Sequence, residues 1–288
     1  MDVVLGPNRY GKAETRVVRV TRDGDTHHLR DLNVSVALSG DMEAVHRSGD
    51  NSAVLPTDSQ KNTVFAFAKK YGIGEIEEFA LLLARRFVDA GPAITHAAVV
   101  VEEYGWERIA GGHSFVRSGS EVRTARVHSD GTGGRESVVS GLADLVVLKT
   151  TGSEFHGFAR DEYTTLRPTG DRVLATAVTA NWRHRAADAD FAGSFREARR
   201  CLLEAFAGTH SLSLQQTLYE MGRRVLEGNG EICEVRLSMP NKHHFLVDLE
   251  PFGMDNENEV YFAADRPYGL IEGGVRAAGA ADDPAAWT

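Results

Sequence analysis

Leu32-Asn33-Val34-Ser35-Val36-Ala37-Leu38 places a large apolar side chain at every second position. A period of two belongs to a strand with one buried face; helical apolar positions recur every three or four residues. The Thr- and Val-rich run Thr15–Thr21 precedes this strand, and Asp23-Gly24 between them is a hairpin turn signal. A hairpin with one apolar face needs a cover. Glu75–Val88 supplies a candidate, because Ile76, Phe79, Leu83 and Phe87 share one side of a helix. Val99–Ile109 and Glu121–His128 then read as strands, separated by Gly111-Gly112.

The same order recurs downstream. Leu145–Thr150 and Arg172–Trp182 read as strands, Phe191–Phe206 and Leu214–Leu226 as amphipathic helices, and Glu234–Met239 and His244–Leu249 as strands. Asn62-Thr63-Val64-Phe65 also matches Gln216-Thr217-Leu218-Tyr219 at an offset near half the chain. The expectation is a duplicated α+β chain: two halves, 1–135 and 136–288, each an antiparallel sheet with helices on one face. The glycine-rich Ser129-Asp130-Gly131-Thr132-Gly133-Gly134 is the candidate mobile loop near the boundary.

Composition excludes several classes. At 288 residues the length prior is roughly two domains. With 32 basic and 41 acidic residues the net charge is −9, which argues against a nucleic-acid-binding surface. The longest apolar runs, Phe79–Ala84 and Ala97–Val101, are far short of the roughly 20 residues that cross a bilayer, so no membrane partner is expected. Met1–Lys12 has no charged stretch followed by an apolar one, as a secretory signal would. Cys201 and Cys233 are the only cysteines, too few for a disulfide framework. A cytoplasmic protein is expected.

No phosphate loop, dinucleotide fingerprint, zincin helix or nucleophile elbow is present. His27, His28, His113 and His156 are too scattered for a metal-ligand spacing. What remains is a set of polar clusters: Tyr10-Gly11-Lys12, Pro56–Thr63, Phe155-His156-Gly157-Phe158 with Arg160–Thr165, and Pro240-Asn241-Lys242-His243-His244-Phe245. To these add Leu148–Phe155, Asp171-Arg172, Leu214-Gln215 and Arg266-Pro267-Tyr268-Gly269-Leu270-Ile271. In this order, and over nearly the whole length, the clusters resemble the urate oxidase (uricase) family.

The resemblance implies tandem T-fold domains assembling into a homotetramer with a central tunnel, a tunnel-shaped β-barrel, and active sites shared between subunits. It implies oxidation of urate by O2 and water to 5-hydroxyisourate and hydrogen peroxide, with no cofactor and no metal. Such chemistry is reasonable, since electron-rich urate can itself donate an electron to O2 and the protein need only bind it, move protons and hold O2.

By the same resemblance Lys12, Thr57 and His243 are the catalytic proton relay. A free lysine holds its proton to about pH 10.4, so Lys12 must be perturbed or act through a relay, and a Thr hydroxyl can both donate and accept. Thr57, Asp58, Phe155, Arg172, Leu214, Gln215 and Asn241 are the substrate-binding residues. Arg172 offers two coplanar donors and Gln215 one donor and one acceptor to the polar edge of the purine. Phe155 stacks on its face, Leu214 bounds the pocket, and Asn241 with Thr57 holds O2 or water. Most have a plainer reading: a solvated Lys12, a Thr57 helix cap, an Arg172 on a strand surface, a Gln215 at a helix N-terminus, Phe155 and Leu214 in the core, Asn241 in a turn.

Two positions depart from the family pattern: Pro56 stands where a small non-proline residue is common, and Gly170 where a bulkier one is. Two other function classes compete, a metal-dependent T-fold enzyme acting on pterins or purines and a non-catalytic purine-binding T-fold protein. The first lacks a Cys/His ligand set in this sequence. The second would be expected to have lost some of Lys12, Thr57, Arg172, Gln215, Asn241 and His243.

Overall fold

The computed structural model describes residues 1–131 and 133–287, so Thr132 of the glycine-rich loop lies outside the described residues. One eight-stranded antiparallel sheet runs in chain order, β1 to β8. Its strands are β1 (Tyr10–Asp23), β2 (Thr26–Gly40), β3 (Ile94–Arg108), β4 (Phe115–Ser129), β5 (Glu136–Lys149), β6 (Leu174–His184), β7 (Ile232–Leu246) and β8 (Tyr261–Arg276). Between β2 and β3 come α1 (Glu43–Ser48), α2 (Thr57–Lys70) and α3 (Ile76–Val88); between β6 and β7 come α4 (Phe191–Gly208) and α5 (Leu214–Gly228). The expected α+β order of strand pair, helices and strand pair thus occurs twice. The short sequence match within it pairs α2, the first long helix of its half, with α5, the second of its own. Element order, not that match, carries the duplication.

Alternation in β2 sets the layers. Leu32, Val34, Val36 and Leu38 are buried toward the helices, and Gly24 at φ +55° makes the β1–β2 turn. They join Phe79, Leu83 and Phe87 of α3 and Val99 and Val127 of the neighbouring strands in one core. A second core gathers Trp182, Leu202, Leu218, Met221, Val235 and Met239. Removing one such Leu side chain costs about 2–5 kcal/mol. The first core also takes Val138 and Phe191 from beyond residue 135, so packing crosses the middle of the chain.

Buried polar groups cross there too. Glu77 of α3, with no exposed surface, accepts from Ser140 Oγ at 2.6 Å and from Arg123 Nη2 at 2.8 Å. Ser140 Oγ lies 2.9 Å from His184 Nε2, and His184 packs edge-on against Phe191. Burial pushes the His184 pKa down to about 4, with Arg123 adding to the effect, and pushes that of Glu77 up.

The segment after β8 returns across the sheet face opposite the helices. Asp283 pairs with Arg135 and accepts from Ser137 Oγ at 2.5 Å, Arg183 donates to the Ala281 carbonyl at 2.7 Å, and Arg126 donates to the Trp287 carbonyl at 2.9 Å. Among the described residues no helix is long and apolar enough to cross a membrane.

Candidate functional site: two polar groups at opposite sides of the sheet

The first group is built on β1 and the start of α2. Gly11 crosses β2 so closely that a Cβ there would lie 1.8 Å from the Val36 carbonyl oxygen, which demands glycine. Directly after it the β1–β2 register shifts between Lys12 and Thr15, and Glu14 takes a positive φ of 54°. Such bulges re-aim a side chain, here Lys12. Tyr10 Oη accepts from the Leu55 amide at 3.1 Å, and the buried Gln60 amide donates to the Leu55 carbonyl at 3.2 Å, tying the entry of α2 to β1. Pro56 ends the extended segment at φ −55°, ψ 140°, and Thr57 opens the helix with its side chain in solvent. The φ of −55° at this N-cap position is within the range that the proline ring fixes, so Pro56 fits there without strain. Asp58 accepts from Lys61 Nζ at 2.5 Å and from Asn62 at 2.9 Å. Chiefly the Lys61 contact holds its carboxyl below the ordinary range, and the charge of Lys12 adds to this.

The second group gathers around the loop after β5 and the start of α5. The Arg172 guanidinium carbon lies 5.2 Å from the centre of the Phe155 ring, and Arg172 Nε donates to Ser153 Oγ at 3.3 Å. Phe158 stacks on the same ring at 5.1 Å. Asp171 accepts from the Gly152 and Arg172 amides, each at 3.0 Å, and from Thr151 Oγ1 at 2.8 Å, which locks the backbone on which Arg172 is hung. Burial lowers the Arg172 pKa from its ordinary value. Leu214 is buried at the first turn of α5 while Gln215 beside it is exposed, and Ser213 caps the helix by accepting from the Gln216 amide at 3.1 Å. Both groups thus contain a helix N-terminus, which favours a negative ligand charge.

His243 and Asn241 come from β7. Asn241 pairs with Thr176 of β6 and Gly269 of β8, and the β7–β8 register then shifts between Asn241 and His243. Asp265-Arg266-Pro267-Tyr268 is the part of β8 that the shift leaves without a register partner on β7. The His243 pKa is lowered, first by burial and then by the positive charge of Arg172. Its ring stacks on Phe245 at 5.6 Å.

Within one chain the structure brings Phe155, Arg172 and His243 together and, separately, Lys12, Thr57 and Asp58. The two groups sit on β1 and on β6–β7, five to six strands apart, on the order of 25 Å measured along the sheet. Sequence reasoning gave no role to Ser153, Asp171 or Ser211, although the Asp171-Arg172 pair and the spacing from Ser211 to the Ser213 cap were visible signals. Among the described residues no group of three or more His, Cys, Asp or Glu side chains is arranged to hold a metal ion.

Two like halves sharing one antiparallel sheet, each backed by helices on one face, define a tandem T-fold protein. The uricase family model matches residues 8–128 and 138–272. A uricase of Arthrobacter globiformis is 52% identical over 287 residues, covering 99% of this chain and 94% of the relative. One of Dictyostelium discoideum is 37% identical over 275 residues, covering 93% and 96%. The crystal structure of the Arthrobacter globiformis uricase superposes with a TM-score of 0.95 over 99% of both chains at 52% identity. Urate oxidase from Bacillus sp. TB-90 gives 0.82 at 27% identity, covering 94% of this chain and 100% of that one. The chain belongs to the uricase family.

Proposed function

We propose that this protein is a urate oxidase, converting urate, O2 and water to 5-hydroxyisourate and hydrogen peroxide without a metal or organic cofactor. The observation that carries the reading is the Phe155–Arg172 pair: an aromatic face and a planar fork of donors meet at one spot, the recognition set for a flat, anionic heterocycle. Arg172 and Gln215 grip the polar edge of urate, Phe155 stacks on its face and Leu214 limits the slot. Lys12 and Thr57 take protons from the substrate and pass them on, and His243, whose lowered pKa favours the neutral, proton-accepting imidazole, completes the relay. Asn241 and Thr57 hold O2 or water over the ring, and Asp58 supports Thr57 at the start of α2.

The distance between the two groups supports a site shared between subunits of a homotetramer: Lys12, Thr57 and Asp58 from one chain, and Phe155, Arg172, Leu214, Gln215, Asn241 and His243 from its neighbour. We place the boundary between the T-fold halves at 135/136. Two free, buried cysteines suit the reducing cytoplasm.

The test follows urate absorbance, O2 uptake and peroxide together in protein dialysed against EDTA. Urate loss matched one to one by O2 consumed and peroxide formed is the expected result. Turnover that vanishes with the metal and returns when it is restored would overturn the cofactor-free reading, and urate binding without turnover would leave a purine-binding protein.

A further inference from the structure

Glu154 stands between Ser153 and Phe155 and has no role in the chemistry above, yet it joins the two segments that frame the second group. Its backbone amide donates to the Ser211 carbonyl at 2.8 Å, inside a short parallel bridge between Ser153 and Ser211. Its carboxylate then reaches two histidines. Oε2 lies 3.0 Å from His156 Nε2, on its own segment, and Oε1 lies 3.1 Å from His210 Nε2, on the segment that leads into α5. The carboxylate is only 19% exposed, while the two imidazoles are about three times more so, at 58% and 60%.

Each neighbour of this junction points at a proposed binding residue. Phe155 follows Glu154 directly and is held by a reciprocal pair of backbone bonds with Thr169, at 2.9 and 3.0 Å. On the other side Ser211 accepts from Thr217 Oγ1 at 2.8 Å, and the Leu212 amide donates to Gln216 Oε1 at 2.8 Å. The start of α5, with Leu214 and Gln215, is therefore rigid relative to Ser211. The backbone bridge fixes how the segments run past each other. The two-armed carboxylate fixes how far apart they stand, because a loop carrying His210 cannot swing away without breaking a charge-assisted bond.

We propose that Glu154 is a positioning residue for substrate binding: held by His156 and His210, it sets the separation between the Phe155 ring and the Leu214–Gln215 end of α5. The proposal rests on the urate site described above. A slot that must seat a flat heterocycle between a ring face and an amide tolerates little drift, and misplacement by about 1 Å is enough to cost a large factor in binding or rate.

Steady-state kinetics with urate on the assembled protein test it. Glu154→Ala is expected to raise KM about tenfold, with a smaller fall in kcat, since orientation for binding and not proton transfer is lost. Glu154→Gln should recover most of this, because its amide oxygen still accepts from one imidazole. His210→Ala should raise KM about threefold, and the double variant Glu154→Ala/His210→Ala should be no worse than Glu154→Ala alone, one link having been cut twice. Unchanged KM in Glu154→Ala, or KM effects that multiply in the double variant, would overturn the role. Should Glu154→Ala fail to assemble, His210→Ala at its exposed position decides, and an unchanged KM there overturns it. Phe155→Ala, run in parallel, separates the two readings. If it leaves KM for urate unaltered, the binding site is elsewhere; if it raises KM while Glu154→Ala and His210→Ala do not, only the positioning role fails.

Discussion

Arg172 lies over the face of Phe155, 5.2 Å from its ring centre, and its charge is felt at His243. One guanidinium thus packs on the Phe155 ring and adds to the burial that lowers the His243 pKa; in the function proposed above the same group would orient the substrate.

Arg172→Lys should not rescue Arg172→Ala. An ammonium has no pair of coplanar donors to match a carbonyl and its neighbouring ring nitrogen. Both variants are expected to bind a xanthine-type inhibitor at least about tenfold more weakly than wild type, read by calorimetry. Near-normal affinity in Arg172→Lys would take Arg172 out of the clamp.

Lys12→Met and Thr57→Ala should each lower kcat by about 10²–10⁴, the usual contribution of a general acid–base group, with little change in inhibitor affinity. The double variant should be hardly worse than the poorer single, because the two act as one unit. Losses that multiply in the double-mutant cycle would argue for independent roles.

Two inactive variants should restore each other. When Lys12→Ala and Arg172→Ala chains are co-expressed equally, a mixed pair has one site with both lesions and one with neither. Random pairing then returns about a quarter of wild-type activity, given isologous association. Recovery indistinguishable from zero in a sample containing mixed oligomers would mean that each site comes from a single chain.

Acid should weaken the fold through His184. Its native pKa, about 4, lies below the unfolded value near 6.5, so between these limits the unfolded chain binds more protons and stability falls as pH falls. The loss across this window is on the order of 3 kcal/mol. Glu77, shifted upward by burial, contributes in the opposite direction, losing stability as pH rises through its own shifted range. The comparison of wild type with His184→Phe isolates the histidine. The difference between Tm at pH 7 and pH 5 should shrink in the variant, and an equal difference in both proteins would contradict the assignment.

The parts of the fold written in local periodicity were legible. The apolar series at three- and four-residue spacing marked α3 and α4, which end within two residues of the expected bounds; alternation over Leu32–Leu38 marked β2, which begins six residues earlier, at Thr26. The C-terminal strands were harder. Glu234–Met239 and His244–Leu249 read as two strands with Asn241 in a turn between them, but β7 runs unbroken from Ile232 to Leu246. Pro240, which cannot donate, falls where the β6–β7 pairing skips from Thr176↔Asn241 to Thr179↔Ser238. β8 was passed over because Pro267, Gly269, Gly273 and Gly274 dilute its strand signal. One of these glycines answers to packing as well as to flexibility: a Cβ on Gly273 would meet Leu218 of α5 at 3.0 Å, and across the same contact a Cβ on Gly222 of α5 would meet Val275 of β8 at 2.7 Å. At the site, the family resemblance supplied the candidate residues, whereas the bonds that hold them were not legible in the sequence. Glu154 to His210 spans 56 positions, and nothing in a period of two or 3.6 reports such a pairing. Gly170 has open space where a Cβ would stand, so its departure from the family pattern meets no steric demand.

β1 and β8 are the two uncapped margins of the sheet, 14 and 16 residues long, with Val18 and Val20 bare on one and Phe262, Tyr268 and Leu270 bare on the other. Long apolar margins of this kind recruit further strands indiscriminately unless something fills them. Lys12 is mounted on one of these margins and His243 on the strand next to the other. Under the shared-site proposal, whatever closes the margins also decides whether the Lys12 group of one chain meets the Arg172 group of another. A chain left alone is therefore expected to be silent and aggregation-prone at once, and lesions along β1 or β8 should remove solubility and peroxide production together.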